Sequence, residues 1–401
     1  MTADRREFGA IVAGGGPAGL TAAVALATGG VTTVLAGKRP RDNRTTALLA
    51  SSVVALETLG VWPLCRERSA PLRHLRIVDD TGRLWRAPEV KFDADEIGLD
   101  AFGWNIENRA LVEALTQRAE ALANLTLIED EVLAVTTAAD HVAVTLRHGG
   151  TLAAPLVAGA DGRKSLCREA ALIDTDERRY PQVALTACFR HSRPHHETST
   201  EFHTPTGQCT VVPLPGNRSS LVWVLAPHVA DEMAALDDAA LSSAIERAIH
   251  SILGKVEVEP GRGLFPLTIA TAGTFGRSRI ALVGEAAHVI PPVGAQGLNL
   301  GLRDAATIAE LAAAAHREGH DIGGELVLAR YERMRRADVG SRSIAVDLLN
   351  RSLLTDLLPV QSARGLGLYA LDRIGPLRRA VMREGVAPRA AQPRLMRGEM
   401  L

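Results

Sequence analysis

The stretch that most limits what this chain can fold into is Gly14-Gly15-Gly16-Pro17-Ala18-Gly19, set directly behind the apolar residues 8–13. In a Gly14-x-Gly16-x-x-Gly19 pattern each glycine has its own steric role. Gly14 allows a tight turn out of a strand, Gly16 lets the backbone approach a pyrophosphate, and Gly19, with Ala23 a turn later, lets the helix lie close on the strands. The helix start then offers unpaired N–H groups and partial positive charge to an anion. The spacing alone is a weak signal. Its place between a buried strand and a small-residue helix (residues 20–28), with Gly29-Gly30 and a second strand at 31–35 behind it, predicts a βαβ unit that opens a parallel, doubly wound sheet and binds a dinucleotide.

Further along, helices are expected at 46–59, 109–123, 232–251 and 298–316, with arginine-rich helices across 325–383. Strands are expected at 73–79, 125–130, 141–147, 184–190, 209–214, 220–225 and 279–283. The first sheet is therefore opened near residue 8 and completed near residue 283, with a mostly antiparallel module inserted at about 180–275. At 401 residues, 46% of them hydrophobic, the chain can bury one large core or two moderate ones, and its length suggests two or three domains. Its formal net charge of −1 leaves no cation surplus to displace counterions, so nucleic acid is not an expected partner. Cysteines 65, 167, 188 and 209 form no Cys-x-x-Cys pair, and free thiols in a reducing compartment are the simple expectation. Asp4-Arg5-Arg6-Glu7-Phe8 faintly resembles a twin-arginine export signal, but three consecutive glycines would break the apolar helix such a signal needs. No apolar run is long enough to span a bilayer. The expected location is cytoplasmic.

Two more segments carry chemistry. Ala158-Gly159-Ala160-Asp161-Gly162-Arg163 ends a strand in an Asp-Gly turn, which alone is a common structural device. In the other, a strand at 279–283 ends at Gly284-Glu285, and Pro291-Pro292-Val293-Gly294-Ala295-Gln296-Gly297-Leu298-Asn299 then leads into a helix. A carboxylate at a strand end can accept hydrogen bonds from a polyol. The loop's N–H groups and the helix start aim positive potential at whatever lies before them, which suits the anionic side of a reduced flavin. The acidic residue expected to bind ribose at the end of the second strand is absent: the position is Gly37, followed by Lys38 and Arg39.

In this order and spacing, the three segments resemble the class A flavoprotein aromatic hydroxylases of the para-hydroxybenzoate hydroxylase type. Arg44-Thr45-Thr46-Ala47-Leu48, Glu107-Asn108-Arg109-Ala110-Leu111, Tyr180-x-Gln182, the run from Phe202 to Gly207, Tyr331-Glu332-Arg333 and the Gly365 to Arg383 region are similar to the ubiquinone-biosynthesis hydroxylase branch (the UbiH and VisC relatives). The similarity covers nearly the whole chain. It implies an α/β fold: a doubly wound parallel-sheet FAD-binding domain (1–72, 101–180 and 276–345), an inserted mostly antiparallel β-sheet substrate domain (73–100 and 181–275), and C-terminal helices (346–401).

The resemblance also implies residue roles. Gly14, Gly16, Pro17, Ala18 and Gly19 would hold the FAD pyrophosphate, and Lys38 would lie beside the cofactor. Arg44 and Arg109 would contact its phosphate and flavin side. Val132 would meet the adenine through its backbone, Asp161 and Gly162 would support FAD, and Glu285 would reach the ribityl chain. Pro292, Gly294, Gly297, Leu298 and Asn299 would line the isoalloxazine. NAD(P)H or a ferredoxin-type donor would supply electrons, and dioxygen would be the cosubstrate. The implied reaction is hydroxylation of a phenolic ring through a flavin C4a-hydroperoxide, without a dedicated acid–base dyad. The implied small-molecule aromatic substrate is a polyprenylated ubiquinone precursor, with peripheral membrane contact or a biosynthetic complex around it. Leu348 to Leu358 is the apolar segment considered for that contact, against a helix packed on the main domain. Two other readings fit the same residues: a hydroxylase of a soluble phenol, polyketide or antibiotic, and a flavin-binding accessory protein without hydroxylase activity, which Gly37 and Glu285 motivate.

Other features have plainer readings. His191, His195, His196 and His203 are expected in a solvated loop rather than on a metal. His288 is expected to make a structural hydrogen bond. Cys188, Cys209, Trp104 and Trp223 read as core, although Trp223 lies in the sheet that would roof a pocket. The Arg373 to Arg383 run reads as a solvated helix face.

Overall fold

A computed structural model of the chain describes residues 5–39, 42–82, 88–354, 365–367, 369–371, 373–386 and 392–401. The first sheet holds five parallel strands in spatial order Ile280–Leu282, Leu156–Gly159, Ala10–Ala13, Thr33–Ala36 and Leu125–Ile128, with a short antiparallel strand at one edge. The first strand in sequence lies between the second and the fourth, so the winding reverses beside it. In doubly wound sheets a ligand crevice opens at that reversal, outside the carboxyl ends of the strands.

The helix Pro17–Thr28 starts with Pro at its first position and is buried on every side from Gly19 to Ala27. A helix apolar all round needs cover on all faces. It is packed against the sheet and the long helix Gln296–Arg317, where a Cβ added to Gly29 would come within 2.7 Å of the Ala313 side chain. The helix Glu325–Leu354 is pinned to the sheet by Tyr331, which is fully buried and donates its hydroxyl to the Leu282 carbonyl at 2.6 Å.

A second sheet of nine strands brings residues 74–79 and 90–93 together with strands from 175 to 289. Its outer face, with Leu185, Phe189, Cys209, Val211 and Leu221, packs under two helices. Its inner face meets a three-stranded sheet (Thr45–Leu49, Gly103–Glu107, Ser69–Leu72). There Thr45 Oγ1 donates to Ser220 Oγ at 2.8 Å and Asn105 Nδ2 donates to the Pro213 carbonyl at 2.9 Å.

Several expectations change. The helix expected at 46–59 is a strand through Leu49 and a helix only over Ala50–Thr58, because residues 45–49 pair with Gly103–Glu107. The helix expected at 232–251 is two, Pro227–Ala235 and Asp238–Ala248, with Asp237 capping the second by accepting from the Ala240 N–H. The strand at 184–190 runs from Thr175 to His191. His191 and His203 are buried on strands, not in a solvated loop. Their ring nitrogens bond Ser219 and the Arg193 carbonyl, and Glu201, respectively. Trp223 sits on the outer face among apolar neighbours, away from the crevice. Within the arginine run, Arg378 is not solvated: it pairs with Glu96 and covers the Phe92 ring. Leu348 is exposed while Asn350 is buried against Gln182, so that helix is partly packed and partly bare. Residues 355–358 of that segment lie outside the described residues, as do residues 359–364 and Leu368 of the C-terminal region.

Replacing Tyr331 by Phe leaves the Leu282 carbonyl buried without its donor. Urea unfolding should show a loss of about 1–3 kcal/mol with an unchanged m-value.

Candidate functional site

The carboxyl ends of the parallel strands gather the expected residues. Gly14 follows the first strand, Gly37 and Lys38 the second, Glu131 and Val132 lie just beyond the third, Asp161 and Gly162 follow the fourth, and Gly284 and Glu285 the fifth. Gly14 has φ +123°, and a Cβ there would lie 2.2 Å from the Ala160 carbonyl oxygen. A Cβ on Gly19 would lie 2.0 Å from the Gly14 oxygen, so this glycine is required by helix packing. Gly16 differs: a Cβ there would meet nothing within 4 Å. The fold itself does not demand glycine at position 16. It is the N-cap of the first helix, where a phosphate would need the bare backbone, so these residues fit an FAD pyrophosphate.

The three segments converge. A Cβ on Gly301 would touch Ala18 Cβ at 3.3 Å and Gly284 Cα at 3.2 Å, which places the first glycine turn, the fifth strand end and the loop helix in mutual contact. The loop presents Pro292, Gly294 and Gly297 to the outside, with Leu298 half-buried. Gln296 and Gly297 already belong to the first turn of the helix Gln296–Arg317, two residues before the expected start at Leu298. Asn299 fastens this turn to the other half of the site. It donates to the Ala47 and Ala295 carbonyls and accepts from the Leu49 N–H.

Beneath the loop lies a buried ion chain. Asp304 accepts from the Gly284 N–H, His288 Nε2 and Arg335 Nε. Arg335, Arg303 and Arg342 share Asp338, and Arg342 donates to Gln296 Oε1 while Gln296 Nε2 donates to the Gly294 carbonyl. The chain thus joins the Gly284 turn to the Gly294 loop. Burial alone would raise both carboxyls, but His288 and Arg335 at Asp304, and the three guanidinium groups at Asp338, outweigh it and hold both below the usual range. Burial pulls Arg303 down to about 10, with Arg342 and Arg335 adding to the shift. His288 therefore has the structural hydrogen bond expected of it.

Other residues stand as follows. Arg44 is clamped by Asp42 and lies over the Phe265 ring at 4.9 Å; the hydrogen bonds it donates to Asp42 hold its charge firmly. Asp42 also accepts from Asn108. Arg109 is exposed and lies 3.6 Å from Glu107. Asp161 spends its carboxylate on the turn, accepting from Ser165 Oγ and the Cys167 N–H. Glu285 is solvent-facing, with its oxygens 3.4–3.5 Å from Arg163. Lys38 Nζ donates to Glu131 at 2.6 Å, and Arg147 and Lys38 together pull the Glu131 carboxyl down to about 2. At Gly37 a Cβ would come within 2.7 Å of the Gly15 N, so the strand-end acid is replaced by close backbone contact. Glu131, just beyond the neighbouring strand, brings a carboxylate beside Lys38. Asp42 carries no local motif; Asn108 and Arg163 lie inside motifs without a role of their own being read there, and only the density of arginine at 333–342 hinted at the arginine chain.

Gly16→Ala should leave the melting temperature of the apoprotein unchanged and weaken FAD binding tenfold or more, read by flavin fluorescence quenching. Gly19→Ala should lower the melting temperature itself. Asp304 and Asp338 have depressed folded-state values, so the stability they contribute is complete above their ordinary 3.8 and is lost as pH falls through their folded values. Melting temperature measured from pH 5 to pH 2 should fall steeply below about pH 4. Asp338→Asn should start lower and fall less steeply.

The chain matches the FAD binding domain family over residues 7–343. It is 36% identical to a ubiquinone hydroxylase, UbiL, of Rhodospirillum rubrum, over 97% of this chain and 92% of that one. It is 32% identical to the 3-demethoxyubiquinol 3-hydroxylase of Escherichia coli, over 93% of this chain and 96% of that one. The crystal structure of p-nitrophenol 4-monooxygenase PnpA from Pseudomonas putida shares the fold, with a TM-score of 0.78 at 21% identity over 96% of this chain and all of that one. The chain thus belongs to the family of FAD-dependent aromatic monooxygenases, in its ubiquinone-hydroxylase branch.

Proposed function

We propose that this chain hydroxylates the phenolic ring of a polyprenylated ubiquinone precursor. The observation that carries the reading is the inner face of the nine-stranded sheet, where Thr210, Val212 and Val222 are only half-buried between the Pro292 loop and the strand Thr45–Leu49. Relatives named for ubiquinone hydroxylation span almost the whole chain, both halves of the site included. The domain division at 72, 100, 180, 275 and 345 assigns the cofactor to one half and the ring to the other.

Gly14, Gly16, Pro17, Ala18 and Gly19 hold the pyrophosphate, with Arg44 and Arg109 neutralising it. Lys38 and the Val132 backbone flank the adenosine. Asp161 shapes the turn on which Gly162 meets the cofactor, and Glu285 turns from Arg163 to the ribityl hydroxyls. Pro292, Gly294, Gly297, Leu298 and Asn299 form the flavin wall. Bound FAD supplies the redox and oxygen chemistry, with electrons from NAD(P)H or a ferredoxin-type donor. The chain's own part is to hold the ring beside that wall, keep water out and steady charge through the loop N–H groups and the start of the helix Gln296–Arg317.

No helix among the described residues is long and apolar enough to cross a membrane. Exposed Ile344, Leu348, Ile374, Leu377 and Val381, with Arg379 beside them, suit docking of a cytoplasmic protein on an anionic lipid surface from which a prenyl chain could enter.

FAD-loaded protein given NAD(P)H, or reduced ferredoxin with its reductase, together with oxygen and a prenylated phenol should yield a product one oxygen atom heavier by mass spectrometry. An FAD-loaded chain that produces only hydrogen peroxide would defeat the hydroxylase reading. Preference for short soluble phenols would transfer it to another substrate class.

A further inference from the structure

The ion chain beneath the Gly294 loop does not balance. Three guanidinium groups, on Arg303, Arg335 and Arg342, meet two carboxylates, on Asp304 and Asp338, and no other carboxylate reaches them among the described residues. The three arginine side chains are at most 9% exposed, and Asp304 is fully buried. Both carboxyls are held ionised by these neighbours, so each counts as one negative charge. Arg303, drawn to about 10 by burial, with Arg342 and Arg335 adding to the shift, still carries its proton at neutral pH. A proton on His288, which shares Asp304, would only add to the excess. The cluster therefore keeps at least one positive charge out of water.

The hydrogen bonds agree with the charge count. Arg303 Nε and Nη2 and Arg335 Nη2 are sealed from solvent and reach no acceptor among the described residues. A brace that only fixed two loops would be more stable with its charges matched, because an uncompensated ion in the interior is costly. The excess also has a definite place. Arg342 Nη1 donates to Gln296 Oε1 at 3.0 Å, and Gln296 Nε2 donates to the Gly294 carbonyl at 2.9 Å, so a single side chain separates a guanidinium from the loop. Between buried groups a charge is screened little by water or salt, and its field reaches past that side chain.

We infer that the surplus charge of the buried arginine chain favours the reduced, anionic flavin over the oxidised one, and that Arg342, the guanidinium tied to the loop, is a positioning residue that sets the reduction potential of bound FAD. This rests on the proposed reading of the loop from Pro292 to Asn299 as the flavin wall. A hydride from NAD(P)H brings the neutral oxidised ring two electrons and one proton, which leaves the reduced ring with one negative charge. An opposite charge nearby favours the charged form, and charge placed near the ring is one of the ways a protein tunes a flavin. The loop's N–H groups offer only dipoles; the arginine chain adds a net charge behind them. Its effect follows sign: removing a carboxylate from the chain acts opposite to removing an arginine.

The test measures the midpoint potential of FAD in the loaded protein, by anaerobic reduction against a reference dye at pH 7. Arg342→Met should weaken the preference for reduced over oxidised FAD about tenfold or more, a fall of about 30 mV for a two-electron couple. Asp338→Asn should strengthen it by a similar factor, raising the potential. Arg342→Lys keeps the charge and loses the planar fork, and should stay within about threefold of the unaltered chain. A purely geometric brace would respond to all three losses of contact in one direction. A potential that ignores the methionine and asparagine substitutions, or moves the same way in both, overturns the inference. Should the methionine variant fail to fold, Asp338→Asn decides alone: a raised potential supports the inference, and an unchanged or lowered one overturns it. FAD uptake is measured first. A chain that takes up no FAD overturns the broader functional reading, while an FAD-loaded chain whose potential does not follow the sign of the charge removed overturns this inference alone.

Discussion

Asp304 is the joint on which the site depends. It is fully buried, and its two oxygens collect a backbone N–H from Gly284, the ring of His288 and the guanidinium of Arg335. Removing an ion from water costs several kcal/mol, and that cost is offset here only because every contact is short and the partners are fixed. The return is geometric. Through Arg335, Asp338, Arg342 and Gln296 the same charge chain reaches the Gly294 carbonyl. Two loops separated in sequence are therefore held at one spacing, as an extended flat cofactor requires. Breaking the chain at one end leaves uncompensated buried arginines at the other.

Specific polar contacts tie the large sheet to the segments around it. Gln208 binds Pro292, and Asn105 and Thr45 bind the inner face of the sheet, while Asn299 binds the backbone of Ala47 and Leu49. Between these ties Thr210, Val212 and Val222 stay only half-buried on central strands, whereas sheet faces in a protein core are normally packed to a density like that of organic crystals.

Much of this was legible in the chain. The glycine turn announced a βαβ unit because Gly14 and Gly19 answer to backbone clashes that any such turn produces. The long alanine-rich helix and the return strand near 280 followed from periodicity and burial. Residues 45–49 were misread because their small and apolar side chains suit a helix as well as a strand, and the pairing that decides between them comes from Gly103–Glu107, more than fifty positions away. His191 and His203 were misread because a loop of polar residues and a strand with one polar face look alike until the sheet is assembled.

The sequence by itself determined the cofactor frame: local sterics of glycine, apolar periodicity and the order of three motifs are properties of neighbouring residues, and they survive without knowledge of distant contacts. Only the tertiary structure decided what those motifs rest on and what they face. That Arg303, Arg335 and Arg342 converge on two aspartates and that Glu285 faces Arg163 both depend on segments brought together by folding. Burial and charge pairing are properties of three-dimensional neighbours, and no spacing along the chain encodes them.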